Sequence, residues 1–189
     1  MRKEDLRVVK TKNALHRAFF DMLAEIELDD ITINNLCDRA GIRRATFYKH
    51  FNDKLDFITY IIKDVRASFD AEFNQNEDAQ LNVEYYVNYT KAIVSFLNEH
   101  ETAIAKILAS PMRSVFLETF IYENHHDTIA RLERSVEEGL VISSSLKAVA
   151  GMIVGGVFVN TINWFEHRDT ASSDDMIKEV SKLIEMLLK

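Results

Sequence analysis

Apolar residues in this chain recur three or four positions apart, the spacing that places side chains on one face of a helix. A first helix is predicted after a charged arm at residues 1–7, with apolar side chains at helical spacing between Ala14 and Ile26, and the polar run 27–30 ends it. A long fourth helix is predicted after Phe51, with apolar side chains at helical spacing: Phe57, Ile61, Val65, Phe69 and Phe73. The polar stretch 74–82 then predicts a loop and the clearest break along the chain.

The same spacing predicts five further helices, over 83–99, 102–109, 111–138, 144–167 and 174–188. Pro111 fits the first turn of its helix, and Gly139 fits a C-terminal stop. With two short helices between the first and the fourth, the pattern predicts an all-α fold of about nine helices. We expect an N-terminal domain of three helices over 1–54 and a helical body over 55–189.

Composition agrees with a helical protein that has a well-buried core, since the 189 residues are 47% hydrophobic with five Gly and one Pro. The single cysteine, Cys37, excludes an intrachain disulfide and fits a reducing compartment. The N-terminus lacks the apolar segment of a signal peptide. The longest apolar run, 148–159, is shorter than the ~20 residues of a membrane span. We therefore expect a cytoplasmic protein with no membrane partner.

The formal net charge of −7 at first argues against a nucleic-acid partner. The charge is unevenly placed, because residues 1–55 hold 11 Lys and Arg against 9 Asp and Glu, whereas the remainder carries a net −9. Docking on DNA depends on where the positive charge lies more than on the total. The composition therefore leaves the N-terminal domain free to bind DNA.

The segment 32–54 is the most informative part of the sequence. It predicts two short helices joined at 40–42, whose apolar positions can pack against each other: Ile33, Leu36, Cys37 and Ala40 on the first, Ile42, Phe47 and Phe51 on the second. Thr32 is well placed to cap the first helix. The second helix keeps an outward face of cationic and polar side chains, which suits the major groove. We predict a helix-turn-helix DNA-binding motif.

The residue types on that face predict their roles. Arg44 can reach a guanine edge, and Asn34, Ala45 and Lys49 are lesser candidates for base contacts. Cationic and polar side chains that can bind phosphate complete the face: Thr32, Arg43, Thr46, Tyr48, His50 and Lys54.

These residues also resemble the signature of TetR-family transcriptional regulators. The resemblance rests on Thr46-Phe47-Tyr48-Lys49-His50-Phe51 and Lys54, preceded by Thr32, Leu36 and Ala40-Gly41-Ile42. It covers the first quarter to third of the chain and implies a nine-helix bundle of the TetR type. One departure is Arg43, where the family usually has Ser or another capping residue. Arg cannot accept the backbone N–H bonds that a Ser side chain would, so we expect a less well capped recognition helix.

Three of the five glycines lie within one predicted helix, at 151, 155 and 156. Each costs about 1 kcal/mol relative to Ala in a helix interior, so a close contact is expected to offset them. Periodicity alone allows either a neighbouring helix of the same subunit or a two-fold dimer interface. The resemblance favours the dimer, because TetR-like proteins usually dimerise through their two C-terminal helices. The predicted interface residues are Ala148, Gly151, Met152, Gly155, Val159, Ile177, Val180, Ile184 and Leu187.

Aromatic residues crowd the predicted body, where they are first of all core. A cavity lined by Tyr89, Phe116, Phe120 and Trp164 is the alternative, and it would hold an apolar or aromatic ligand, the inducer class that the resemblance implies. Glu123 and His126 have a spacing found in di-iron bundles, but no second motif matches them. Solvated side chains on a helix are the simpler interpretation, and neither a metal nor a cofactor is expected.

Together these features predict a homodimeric repressor that binds palindromic double-stranded DNA and is released by a small-molecule inducer. One alternative is a TetR-like DNA-binding protein controlled by a protein partner, as an activator or chromosome-organising factor. Another is an enzyme or lipid carrier built on a helical bundle. A filled core would favour the protein partner, and a deep polar pocket the enzyme or carrier. The chain has no Gly-rich phosphate loop and no G-x-S-x-G or H-E-x-x-H motif, so no enzyme is expected.

Overall fold

A computed structural model describes residues 6–73 and 83–188 of the chain. Within these ranges the protein is all-α, with nine α-helices and one 3₁₀ turn at Leu28–Asp30. The helices are α1 (Leu6–Glu25), α2 (Ile33–Ala40), α3 (Arg44–Phe47), α4 (Lys54–Phe73), α5 (Val83–Glu99), α6 (Glu101–Ala109), α7 (Arg113–Glu137), α8 (Leu146–Glu166) and α9 (Ser173–Leu187). The predicted fold class is thereby confirmed, and the predicted loop 74–82 lies outside the described residues.

Most helix ends lie within two residues of those predicted from the periodicity. Gly139 ends α7 with a φ of 108°, a left-handed value that disfavours a side chain, as expected for a C-terminal stop. Pro111 lies two residues before Arg113, in the turn that leads into α7. The largest difference is in the recognition helix, because α3 has only four residues and is followed by a turn.

The chain divides into two compact units. The first comprises Met1–Ile62 and His100–Phe116, and the second comprises Lys63–Glu99 and Leu117–Lys189. The domain predicted over 1–54 covers α1, α2 and α3, whereas the first unit also includes the beginning of α4 and all of α6.

The first unit is built around a cluster of phenylalanine rings. Phe47 of α3 and Phe57 of α4 are fully buried, with their ring centroids 5.8 Å apart. Phe51 lies 5.3 Å from Phe47, and Phe19 of α1 lies 5.5 Å from Phe57 in an edge-to-face arrangement. Aromatic pairs at these separations add to the hydrophobic stabilisation of a core. The cluster therefore anchors the short α3 to the longer helices α1 and α4.

The second unit is organised around the apolar helix α8, which packs against α5 and α9. Among the described residues, α8 is the one helix long and apolar enough to cross a membrane by length and composition. Its inward positions are filled instead by core side chains such as Ile153 and Phe165, which are 1% and 3% exposed. A helix that is apolar on several sides is typical of a bundle interior, so α8 is a core helix of this unit.

Candidate nucleic-acid interface

Helix α2 is fixed at both ends by local sequence signals. The Thr32 hydroxyl accepts a hydrogen bond from the Asn35 backbone N–H at 3.2 Å, and the Asn35 side chain accepts one from the Thr32 N–H at 2.8 Å. This reciprocal capping box confirms Thr32 as the N-cap. At the other end Gly41 adopts a φ of 67°, which a residue with a side chain rarely does. The tight turn between α2 and α3 therefore depends on Gly41.

Helix α3 begins without a side-chain cap. Arg43 occupies the N-cap position and makes no capping hydrogen bond, as expected from its side chain. The Arg43 carbonyl still accepts from the N–H groups of Thr46 and Phe47, at 2.8 and 3.2 Å. A four-residue helix is marginal by itself. Its position is set by Phe47, which is fully buried in the phenylalanine cluster.

The structure brings most of the predicted DNA-binding residues onto an accessible surface. Arg43, Arg44, Ala45, Tyr48 and Lys49 are exposed on and next to α3. Thr32 and Asn34 at the start of α2 are also exposed, whereas Thr46 and His50 are half-buried. We call the surface formed by Arg43, Arg44, Ala45, Tyr48 and Lys49 the α3 face.

Lys54 differs from the other predicted phosphate ligands. Its ammonium group donates a hydrogen bond to the Leu28 carbonyl at 2.6 Å, across 26 residues of sequence. Burial lowers the pKa of Lys54, although the nearby carboxylates of Asp29 and Asp30 act in the opposite direction. The ammonium is therefore engaged in joining the start of α4 to the 3₁₀ turn.

Two further ties hold the segment between α1 and α2, and sequence reasoning missed both. Arg39 forms an ion pair with Glu25, in which one of its two hydrogen bonds measures 3.0 Å. Lys106 of α6 donates to the carbonyl oxygens of Ala24 and Ile26, at 3.4 and 3.2 Å. A cation near the last carbonyls of a helix is favourable because of the helix dipole. No local pattern reveals these partners, which lie 14 and about 80 residues away along the chain.

The body contains a small cavity that includes half of the predicted ligand-binding set. Tyr89 and Phe120 line a void of about 20 Å³ among α5, α7 and α8, which is room for about one water molecule. Trp164 is not among the lining residues, and its indole N–H donates to the Ala171 carbonyl at 3.1 Å. Phe116 belongs to the first unit.

The wall of this cavity contains an unusual polar group. Tyr86 is 3% exposed, and its hydroxyl has no hydrogen-bond partner within the described parts of the chain. Burial raises the pKa of Tyr86 far above its ordinary value. By contrast, the Tyr89 hydroxyl donates to the side-chain oxygen of Asn124, whose amide in turn donates to a backbone carbonyl at 2.8 Å.

An ion-pair cluster lies at the edge of the same cavity. Asp127 of α7 accepts a hydrogen bond from Arg131 at 2.7 Å and pairs with Arg66 of α4 at 2.9 Å. Burial by itself would raise the pKa of Asp127, but Arg131 and then Arg66 outweigh it and hold the pKa below its ordinary value. Asp127 is thus charged at neutral pH and links α7 to the second half of α4.

Helices α8 and α9 form an apolar groove of about 370 Å³ at the surface of the second unit. Large apolar side chains on its rim are exposed: Met152 by 61%, Leu183 by 53% and Met186 by 76%. Val159 of α8, also predicted for the interface, is 63% exposed, and Ala148 and Gly151 are exposed as well. Gly155 and Leu187 are half-buried. We call this surface the α8–α9 groove.

Three residues predicted for the subunit interface are buried in the single subunit, although Val180 and Ile184 also form part of the groove lining. Ile177, Val180 and Ile184 of α9 are between 2% and 8% exposed, so they are core residues of the single subunit. Because α9 packs against α5 and α8, its most regular apolar stripe faces inward. Leu183 and Met186 are the exposed apolar residues of this helix, and they were missed because they lie outside that stripe.

The Glu123 and His126 pair does not converge on a common point with further ligands. The Glu123 carboxylate pairs with Lys63 of α4 at 3.1 Å, and His126 is exposed. Over residues 6–73 and 83–188, no group of three or more His, Cys, Asp or Glu side chains is arranged to hold a metal ion.

No protein-family model matches the chain. An uncharacterized HTH-type transcriptional regulator of Bacillus subtilis, YxbF, is 43% identical over 60 residues, which are 31% of this chain and only 16% of that protein. An HTH-type transcriptional regulator of Staphylococcus aureus is 24% identical over 144 residues, covering 73% of this chain and 74% of that protein. Both relatives are regulators of the helix-turn-helix type.

Solved structures share the fold along almost the whole chain. A protein described as a TetR-family transcriptional regulator of Syntrophomonas wolfei superposes with a TM-score of 0.73 at 14% identity, over 95% of each chain. The dihydroxyacetone kinase operon activator DhaS superposes with a TM-score of 0.66 at 15% identity, over 94% of this chain and 96% of that one. At such identities the likeness shows the fold alone.

A helix-turn-helix with an exposed cationic face is an arrangement that suits docking in the major groove of DNA. The chain is therefore similar to helix-turn-helix regulators in sequence and to TetR-family transcriptional regulators in fold.

Proposed function

We propose that the protein is a cytoplasmic, dimeric repressor that binds a palindromic DNA operator. The observation that carries this proposal is the α3 face, where cationic and polar side chains stand on a short helix anchored by the fully buried Phe47. A rigidly held helix can enter the major groove with its side chains already in register. Arg44 is the proposed reader of a guanine, with Asn34, Ala45 and Lys49 as secondary base contacts.

The phosphate contacts divide into two groups. Thr32, Arg43, Thr46 and His50 are proposed to hold the DNA backbone, which positions the helix but reads no sequence. Lys54 is proposed to act indirectly instead, because its ammonium already bonds to the Leu28 carbonyl. Tyr48 differs from the other predicted phosphate ligands because its ring lies against the guanidinium of Arg44.

The α8–α9 groove supports the dimer in this proposal. Exposed Met152, Leu183 and Met186 surround an apolar groove, a pattern that marks interaction surfaces. A side chain at Gly155 would meet nothing within 4 Å inside the subunit, so no packing within the subunit requires that glycine. Both observations favour a second copy of the chain as the occupant, placed by two-fold symmetry on the same surface.

The DNA-binding proposal is tested by selection from a random duplex library. The wild type should enrich a palindrome whose half-sites are spaced by roughly 34–36 Å, one helical turn. Arg44→Ala should relax the preference at one base pair per half-site and cost about 1–3 kcal/mol. Recovery of no palindrome at all would contradict the proposed function.

The dimer is tested with a charge placed in the groove. Met186→Asp should shift the protein to a monomer in sedimentation experiments, and operator affinity should fall with it, because one recognition helix reads only a half-site. Val141→Asp is the matched control, since Val141 is 81% exposed but lies outside the groove. Gly155→Leu should act like Met186→Asp while circular dichroism stays unchanged. A Met186→Asp protein that remains dimeric would refute this interface.

Control by an apolar or aromatic inducer is the first candidate for regulation, and the cavity near Tyr89 and Phe120 is its proposed site. The inducer would release DNA by binding more tightly to the conformation that cannot dock. The small volume of the cavity, about 20 Å³, favours the second candidate, in which a protein partner controls the regulator. Mass spectrometry of the purified protein under native conditions distinguishes the two, because a retained small molecule supports the inducer. A regulator that releases DNA only with a bound protein supports the partner.

A further inference from the structure

We propose that Tyr48 is a positioning residue, which orients the guanidinium of Arg44 before DNA is bound and thereby sharpens the base preference of that arginine. The inference rests on the proposed DNA-binding function and assigns to Tyr48 a role other than phosphate contact.

The first support is the pair of side-chain contacts between the two residues. The Arg44 guanidinium carbon lies 5.8 Å from the centre of the Tyr48 ring, within the range of a cation–π interaction. Its Nη2 donates to the Tyr48 hydroxyl at 3.4 Å, a long hydrogen bond. Because the hydrogen bond is long, we assign most of the orientation of the Arg44 guanidinium to the ring contact. The hydroxyl adds a preference for the orientation in which Nη2 points toward it.

The second support is that Tyr48 is itself held by the core. Its ring meets the fully buried ring of Phe47 edge to face, with the centroids 5.5 Å apart. Its backbone N–H donates to the Arg44 carbonyl at 3.0 Å, which fixes the turn that separates the two side chains. Tyr48 is nevertheless 47% exposed, so the side chain reaches from the core to the surface where Arg44 lies.

The consequence follows from the flexibility of arginine. A free Arg side chain on a surface loses rotamer freedom when it binds a base in a fixed, bidentate geometry. A ring that holds the guanidinium beforehand reduces this loss, because part of the ordering is already present in the free protein. The resulting gain in affinity depends on the base pair that Arg44 reads. A phosphate contact by Tyr48 would instead strengthen binding to every sequence.

The test measures binding to the selected operator and to its single-base variants by fluorescence anisotropy at one salt concentration. The proteins are wild type, Tyr48→Phe, Tyr48→Leu, Arg44→Ala and the two double variants. Tyr48→Leu should reduce discrimination about two- to fivefold, only at the position where Arg44→Ala abolishes it. Tyr48→Phe keeps the ring and should lose less. Neither change should matter further in the Arg44→Ala background.

Lys49→Ala is the matched control, because Lys49 is an exposed neighbour on the same α3 face. Its effect should add to that of Arg44→Ala. If Tyr48→Leu weakens all operator variants alike and does so equally in both backgrounds, Tyr48 binds phosphate and the inference is wrong.

A second measurement needs no DNA and separates this inference from the proposed function. Nitrogen-15 relaxation at the Arg44 Nε should show a more mobile guanidinium in Tyr48→Leu than in the wild type. Equal mobility in both proteins overturns the positioning role even if the operator is found. Failure of the wild type to select any operator overturns the proposed function, while the relaxation data still report on the Arg44 and Tyr48 contact.

Discussion

Lys54 belongs to the signature of the motif, yet its position predicts that removing its charge will leave the salt dependence of DNA binding almost unchanged. The Lys54 ammonium bonds to the Leu28 carbonyl at 2.6 Å, inside the first unit. A cation that contacts phosphate releases a counterion and steepens the slope of log K against log salt by about 0.9. In a dimer on a palindrome, loss of such a contact from both subunits would reduce the magnitude of the slope by about 1.8. Lys54→Met, which keeps the apolar stem, should show none of this reduction.

The difference is large enough to measure by titration between 50 and 200 mM salt. A slope change of about 1.8 over that fourfold range corresponds to roughly a tenfold change in relative affinity. Arg43→Ala provides the comparison, because Arg43 is exposed on the α3 face and makes no capping hydrogen bond. Arg43→Ala should show the full reduction. A similar reduction for Lys54→Met would refute the assignment of Lys54 to the scaffold.

The stability of the Lys54→Met variant adds an independent check. A hydrogen bond to a charged group contributes about 1.5–3 kcal/mol, but burial of the ammonium opposes it, and the Leu28 carbonyl keeps its bond from the Ile31 N–H at 3.3 Å. The net change at neutral pH should therefore stay within about 1 kcal/mol. Because the pKa of Lys54 is lowered in the folded protein, the wild type should gain stability as pH rises toward the unfolded value near 10.4. Lys54→Met should lack this alkaline gain in thermal denaturation.

Three further substitutions test the interactions that shape the two units. Thr32→Ala removes the capping box and should cost about 1 kcal/mol in chemical denaturation. Tyr86→Phe deletes a buried hydroxyl without a partner and should raise stability by up to about 1 kcal/mol; a clear loss would mean that the hydroxyl is bonded in solution. Asp127→Asn should be less stable than the wild type above about pH 4, because the pKa of Asp127 is lowered by Arg131 and Arg66. That difference should shrink as pH falls through the lowered pKa, and a constant difference would show that the charge is unimportant.

The helices could be predicted from the sequence because their signals are local. Periodicity placed α5 at its observed bounds. The side chain of Thr32 marked the start of α2, and Gly139 marked the end of α7. The same locality explains why the outward residues of the α3 face were found. Each of these residues could be assigned to the outward side from its spacing along the chain relative to Phe47, because the burial of Phe47 determines which side of α3 faces the core.

The remaining features depend on contacts between residues far apart in sequence. Periodicity gave α9 an apolar stripe at Ile177, Val180 and Ile184, but it could not tell a stripe that packs inside the subunit from one that meets a second copy. The bond from Lys54 to Leu28 spans 26 residues, and no spacing rule predicts it. The predicted ligand-binding set is gathered only in part, because Tyr89 and Phe120 line the small cavity whereas the indole N–H of Trp164 donates to the Ala171 carbonyl.

The cations of the helix-turn-helix segment therefore fall into two classes with different consequences for binding. Arg39 and Lys54 are engaged with Glu25 and the Leu28 carbonyl, so they hold the scaffold. Only Arg43, Arg44 and Lys49 remain on the α3 face, which gives six cations in a dimer. If each neutralises one phosphate or its equivalent, the salt slope should be about −5. A titration of the wild type measures it, and a much steeper slope would show that cations beyond this face also reach the DNA.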